Sequence, residues 1–489
     1  MSSPSTTFLI VLIIYLGAVT LIGWRAYRRT HTEEDFFVAG RSIGPWVGGA
    51  VLAATQISAG TFVGTLGRHY STGVSWAWVW PGLWLGWLVS ALWVAPKLRR
   101  FGAMTVPDYV GVRFASEKAR VLASILIIVP YTIYLTAQYQ AAGEIFSALF
   151  GTPPILAMAV IMISTVFYTV GGGVRSSSYA DFLQTLIMVG AVVIAVPLLL
   201  YRVGGVTALG QTLFQLDPRL VGWWHGPRDI LAVSLAFGLS IAAAPYELTR
   251  FYSMKDVRTV RQSIGVAFLF QALIGGSVMM LGLSMRALFP AIASEDQASA
   301  VMALSVLTPV VGSLFLVALL SAIMSTCNSI LLVVAAGVSH DLYGTFARQA
   351  PTDEQRLFAG RVAVVAASLI PVPIALLKLD SVQMIVLEQG KFIASFFFVP
   401  LVLGLNWRRG TAAGALGAMV AGFVACASWD FMDFGQGGWK RAGIDAVEVG
   451  LFASASSFFA LSWLTKPSPP EALKPFFEER PERGERGMP

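Results

Sequence analysis

The sequence predicts an all-α polytopic membrane protein with about thirteen transmembrane helices. Three observations point there. Apolar stretches of roughly 20 residues, the length a helix needs to cross a bilayer, recur from end to end. Of 489 residues, 56% are hydrophobic and only 12% charged, with a mean hydropathy of +0.70; a soluble domain carries about 25% charged residues. Finally, Lys and Arg are segregated. With the N-terminus placed outside, loops on the cytoplasmic side hold 25 of them and those on the outer side 8. That is the asymmetry of the positive-inside rule. It places the C-terminus in the cytoplasm and accounts for most of the +7 net charge without a nucleic-acid or other polyanionic partner.

The segments run roughly 7–27, 43–66, 76–96, 121–149, 154–171, 179–201, 230–250, 264–289, 309–339, 360–379, 383–405, 412–430 and 446–465. The first is read as a retained helix, because Phe8 to Gly23 has no basic region before it and no small-residue cleavage site after it. Residues 1–465 form one transmembrane unit. Residues 466–489, rich in Pro, Glu and Arg, read as a short disordered cytoplasmic tail. Trp76-Ala77-Trp78-Val79-Trp80, Trp223-Trp224 and Trp439 sit at segment ends, where indole rings anchor helices at the interface. Cys327 and Cys426 lie in apolar segments and suggest neither a disulfide framework nor a metal cluster. None of the four histidines has a metal-ligand partner at helical spacing. Triple-Gly 171–173 lacks the Lys-Ser/Thr of a phosphate loop.

Segments 2 and 7 depart from the pattern. Segment 2 has a polar centre, Thr55-Gln56-Ile57-Ser58-Ala59-Gly60-Thr61, and segment 7 contains Gly238, Ser240 and Pro245. Such residues free backbone groups from the helix ladder, and these must then be satisfied by protein, water or ligand. The two lie five segments apart, as expected if two inverted repeats, about 43–201 and 230–405, each open with a discontinuous helix.

In segment 9, Ala322, Ser325, Thr326 and Ser329 recur at i, i+3, i+4, i+7 on one helix face. The stripe has two readings: close helix packing, or coordination of a small hard cation by hydroxyls together with carbonyls from a broken neighbour. Asp181, at the start of segment 6, is either a helix N-terminal acid or an ion-handling carboxylate. Glu247 with Arg250 and Glu388 with Lys391, each at i, i+3, read as neutralising pairs. Tyr134, Thr136 and Gln138 form a patch that either packs or lines a solute path.

The chain resembles the sodium:solute symporter family. The resemblance is carried by Gly40-Arg41-Ser42-Ile43-Gly44 leading into Ala54-Thr55-Gln56-Ile57-Ser58-Ala59, by Thr105-Val106-Pro107-Asp108-Tyr109, by Gly171-Gly172 followed by Asp181, and by Ala322-Ile323-Met324-Ser325-Thr326 with Asp341-Leu342-Tyr343 downstream. It implies a LeuT-like five-plus-five core and a sodium site formed by the carbonyls of Ala54, Ile57 and Ala322 and the hydroxyls of Ser325 and Thr326. It also implies that Asp181 and Ser329 mark a second sodium site or an ion exit; here Asn328 stands where such members more often have a hydroxyl. Gln56, Ser58 and Thr61 on the broken helix, Tyr134 and Gln138, and Phe237 and Ile241 from segment 7 would face the solute.

The function implied is sodium-coupled import of a small organic solute by alternating access across a plasma membrane, the bacterial inner membrane. Na+ is the coupling ion, and neither a cofactor nor an obligate protein partner is needed. Thr61 stands where sugar carriers have Gln, so the solute is expected to be a carboxylate, a vitamin-like acid such as pantothenate, or an amino acid, its carboxylate docking on the free N–H groups of a half-helix start. A membrane sensor of the same fold and a proton-coupled carrier are the alternatives. No paired acids or nucleophile–base set suggests an enzyme.

Overall fold

The computed structural model describes residues 4–28, 30, 32–347, 349–436 and 444–478. His31, Trp439 and the tail from 479 onward lie outside these residues. The described residues contain no strand; one isolated bridge joins Ile43 to Met254.

All thirteen expected segments are helical. Among the described residues, eleven stretches are long and apolar enough to span a bilayer, and two of these double back. Pro154–Val203 is continuous except at Gly173 (φ 53°, ψ −144°), where the chain reverses. The reversal is evident from side chains 16 positions apart that reach the same place. Tyr168 Oη donates to Met324 O (3.0 Å), while Gln184 Nε2 donates to Tyr15 Oη, itself bonded to Met324 Sδ. Only glycine fits the bend, since φ is positive and a Cβ would lie 2.2 Å from Phe36 O. Gly60–Phe101 likewise turns at Gly73 (φ 71°), so that Gly60 and Thr65 face the same cavity as Trp76 and Trp80.

Both expected discontinuities are present. Segment 2 is helical over Pro45–Gln56, breaks at Ile57 (φ −77°, ψ 113°), and resumes over Gly60–Thr65 and Leu66–Thr72. Segment 7 runs Pro227–Ala243, breaks at Ala244 (φ −68°, ψ 112°), and resumes over Pro245–Ser253. Both breaks have the same extended backbone conformation. The breaks meet: Tyr246 Oη donates to Gln56 Oε1 at 3.1 Å.

Burial separates core from periphery. In the spans Pro309–Phe346 and Val382–Asn406, 83% of the most apolar window is buried, against 28% in Ala446–Leu464. Segments 9 and 11 therefore form the centre and segment 13 an outer, lipid-facing layer.

The tail differs from expectation over 466–478. Pro470–Phe477 is helical; Phe476 is buried against Phe101 (4.8 Å between ring centroids) and Tyr109 (5.3 Å), and the Phe477 ring lies under the Arg113, Lys97 and Arg408 cations. Eight residues do not hold a helix alone; docking on the short helices of the segment 3–4 loop stabilises this one.

Candidate functional site

The break in segment 2 leaves carbonyls without helical partners, and segment 9 answers them. Ser325 Oγ donates to Ala54 O (2.9 Å) and lies 3.1 Å from Ala322 O. Thr326 Oγ1 is 3.4 Å from both Thr55 O and Ile57 O. The five groups expected to converge do converge, and all five residues are fully buried. Thr55 O joins them, a group that sequence reasoning did not single out. Neutral oxygens from a hydroxyl pair and a helix break form the kind of cluster that takes a hard monovalent cation.

Beside it lies a cavity with a mixed polar and aromatic lining. Gln56, Ser58, Thr61, Tyr134 and Phe237 line it as expected, but Gln138 and Ile241 do not. Gln138 instead accepts the Ala59 N–H (2.9 Å), capping the second half of the broken helix from across the bundle. Ile241 is packed in the apolar core. The remaining N–H groups at this helix start are also taken: Gly60 N–H by Ser58 Oγ (3.0 Å) and Ser58 N–H by Thr61 Oγ1 (3.4 Å). In segment 7, Tyr246 N–H is bonded to Tyr131 Oη (2.9 Å). The half-helix starts are thus closed to a carboxylate, contrary to expectation.

Sequence reasoning missed Gln271, Gln383, Thr65, Trp76 and Trp80, which with Gly60, Val79, Leu83 and Val386 complete the cavity wall. Gln383 packs where a Cβ on Gly64 would come within 2.6 Å of its Oε1, a placement no local pattern reveals. Trp76 is buried rather than anchored at an interface, whereas Trp78 is exposed and stacks on Trp223 at 5.8 Å.

Asp181 and Ser329 also come together, around a third residue. Arg250 Nη2 lies 2.5 Å from Ser329 Oγ, 2.9 Å from Ser177 Oγ and 3.4 Å from Asp181 Oδ2. Asn328 Nδ2 donates to Ser177 Oγ, and its Oδ1 accepts from Thr169 Oγ1 (2.9 Å). A guanidinium therefore stands between the two residues expected to mark a second sodium site or an ion exit. The expected Glu247–Arg250 pair does not form. Glu247 accepts from Trp87 Nε1 (2.9 Å), while Arg250 is held by Ser177, Ser329 and Asp181. Lys391 does pair with Glu388 (2.7 Å), and is also reached by Asp445 (3.5 Å) and Asp430 (3.9 Å).

On the loop side, two of the motifs that carry the resemblance interlock. Thr105 Oγ1 and Arg120 Nε both donate to Asp341 Oδ1, at 2.9 and 2.8 Å, and His340 Nδ1 lies 2.9 Å from Glu33 Oε1. Asp108, His340 and Asp341 bring their ligand atoms close enough for a metal, but Arg120 also contacts Asp108 (3.4 Å) and already supplies the counter-charge. Burial pushes the Asp108 carboxyl up, but the His340 bond and the Arg120 charge outweigh it and hold the group below the usual carboxylate range.

Residues 36–422 match the Sodium:solute symporter family. The chain belongs to this family. Among its relatives, the osmoregulated proline transporter OpuE of Bacillus subtilis is 28% identical over 94% of this chain and 96% of its own length. The sodium/proline symporter of Salmonella typhimurium is 27% identical over 89% of each. A solved Na+-coupled sialic acid symporter superposes with a TM-score of 0.82, covering 95% of this chain and 99% of the other at 18% identity. Mhp1, a nucleobase-cation-symport-1 family transporter, superposes with a TM-score of 0.55 at 14% identity, over 91% and 99%. These two likenesses concern the fold. The family member described here is an integral membrane symporter with sodium as coupling ion. Its relatives are named transporters, which leaves the enzyme and sensor classes without support.

Proposed function

We propose that this symporter couples inward Na+ movement to uptake of proline, or a closely similar small amino acid, across a bacterial plasma membrane, with its N-terminus outside. The observation that carries the reading is the convergence of Ser325 and Thr326 on the carbonyls of the segment 2 break, directly beside the cavity. The substrate rests on relatives named for proline at near full-length coverage; it narrows the expectation away from pantothenate and short carboxylates.

Na+ would bind Ala54 O, Ile57 O, Ala322 O, Ser325 Oγ and Thr326 Oγ1. By bridging segments 2 and 9 it would hold the broken helix in the arrangement that receives solute. Linkage requires that each ligand raise the affinity for the other by one factor. With Arg250 against Asp181 and Ser329, the stoichiometry is one Na+ per solute. Opening of the loop-side contacts between Thr105, Arg120 and Asp341 would release both inward.

The test is uptake into proteoliposomes of proline, other amino acids, short carboxylates and sugars, with and without an inward Na+ gradient. Proline accumulation driven by Na+ is the expected result. Uptake of proline that ignores the gradient refutes the coupling, and Na+-driven uptake of another solute with none of proline refutes the substrate.

A further inference from the structure

We propose that Gln271, with Gln56 and Gln383, forms an uncharged cage for the solute's carboxylate, and that Gln271 sets selectivity for solutes with a free carboxylate over their amides and esters. The inference rests on the central cavity being the solute site.

A carboxylate in this cavity needs donors, and the obvious ones are unavailable. The backbone N–H groups at Ser58, Ala59, Gly60 and Tyr246 are bonded to protein side chains. No Lys or Arg is among the described residues lining the cavity. Besides the hydroxyls of Ser58, Thr61 and Tyr134 and the indole N–H groups of Trp76 and Trp80, the lining offers three carboxamides. The oxygen of Gln56 accepts from Tyr246 Oη (3.1 Å), and that of Gln383 accepts from Thr65 Oγ1 (3.2 Å). With its oxygen engaged, each carboxamide is left to act as a donor through its NH2 group.

Gln271 is the decisive member. It comes from the middle of the helix Val257–Leu288, is 1% exposed, and its Nε2 has no hydrogen-bond partner among the described residues. A buried donor without a partner is costly and rare in native structures. Its position in the wall of the cavity supplies the reason: the partner is the solute. A carboxylate offers only acceptors to such donors, whereas an amide would turn NH2 against NH2 and an ester would lose one full negative oxygen. Tyr134, Trp76 and Phe237 supply the apolar wall for a small ring.

The absence of a guanidinium has a consequence for coupling. An Arg in the cavity would neutralise a carboxylate by itself and bind it without sodium. Carboxamides donate but carry no charge, so, apart from the solute's own ammonium group, the positive partner in this poorly solvated space is the coupling ion at the neighbouring oxygen cluster.

The experiment uses the full-length protein in proteoliposomes and measures competition against Na+-driven proline uptake by proline, prolinamide and proline methyl ester. For the unmodified protein the acid is expected to compete at least about thirtyfold better than the amide or ester. Gln271→Leu is expected to raise the KM for proline by about tenfold to a hundredfold, to leave amide inhibition within about threefold, and to leave the Na+ midpoint at saturating proline unchanged. Gln271→Glu is expected to invert the preference towards the amide. Equal competition by acid and amide in the unmodified protein overturns the inference without requiring any variant to fold. An unchanged KM in Gln271→Leu, or equal losses for acid and amide, overturns it as well. Failure of the transport reading looks different: the unmodified protein then shows no Na+-driven proline uptake, and both proposals fall together.

Discussion

Thr326→Ala separates ion coordination from packing more cleanly than any other change in the segment 9 stripe. In the structure the Thr326 hydroxyl makes two contacts of 3.4 Å, to Thr55 O and Ile57 O, at or beyond the long edge of ordinary hydrogen bonds. Their loss costs the fold about 1 kcal/mol or less. Against a bound cation the same oxygen is one of five ligands. An interaction between a neutral dipole and a full charge in a buried site contributes about 1.5–3 kcal/mol, so the Na+ midpoint for uptake should rise roughly 10- to 150-fold. Ser325, with contacts of 2.9 and 3.1 Å, would lose more fold stability and give a less clean answer. Thr326→Ser, which keeps the oxygen and discards the methyl, should stay within about threefold of the parent. Because linkage is reciprocal, the apparent proline affinity of Thr326→Ala should fall at low Na+ and recover as Na+ is raised. The assay is initial-rate proline uptake against Na+ concentration, with a thermal midpoint recorded for each variant. A Na+ midpoint within twofold of the parent, in a protein of unchanged thermal stability, would refute the ion-ligand assignment and return the stripe to packing.

Arg250→Gln should leave Asp181 as an uncompensated buried charge and cost about 3–5 kcal/mol; Asp181→Asn in the same chain should restore much of it in a thermal melt, and reversal-potential measurements on the parent should give one Na+ per proline, a value of two contradicting the role given to Arg250. Gly173→Ala, at φ 53° with Phe36 O 2.2 Å from the new Cβ, should abolish accumulation of folded protein, measured as monodisperse yield after extraction. Asp296, in the loop between segments 8 and 9, accepts from the Val382 N–H at the start of segment 11 (3.0 Å), and burial raises its pKa to about 7, with Glu144, Glu295 and Asp380 adding to the rise. A carboxyl raised in the folded state holds a proton that the unfolded chain releases near pH 4, so its contribution to stability is complete below that value and is lost as pH rises to about 7. Asp296→Asn should flatten the stability–pH profile between roughly 4 and 7, and an unchanged slope would count against this account.

The membrane class, the thirteen segments, the two breaks and the stripe from Ala322 to Ser329 were legible in the linear pattern of residues, whereas the five-group set at the segment 2–9 contact was implied by the family resemblance. The reason is physical: bilayer thickness imposes a length on every segment, backbone breaks are marked by Pro, Gly and small polar residues, and helical spacing alone puts Ser325 and Thr326 on one face. Side chains that act across the bundle were beyond its reach. Gln138 has the composition of a solute ligand, but becomes a cap because segment 4 passes the broken end of segment 2. Arg250 has a suitable acid three residues away and pairs instead with one 69 positions distant. Gln271 sits in an otherwise ordinary membrane helix and acquires meaning only from the cavity it faces. Local periodicity fixes which face of a helix a residue occupies; the tertiary packing of the helices decides what that face meets.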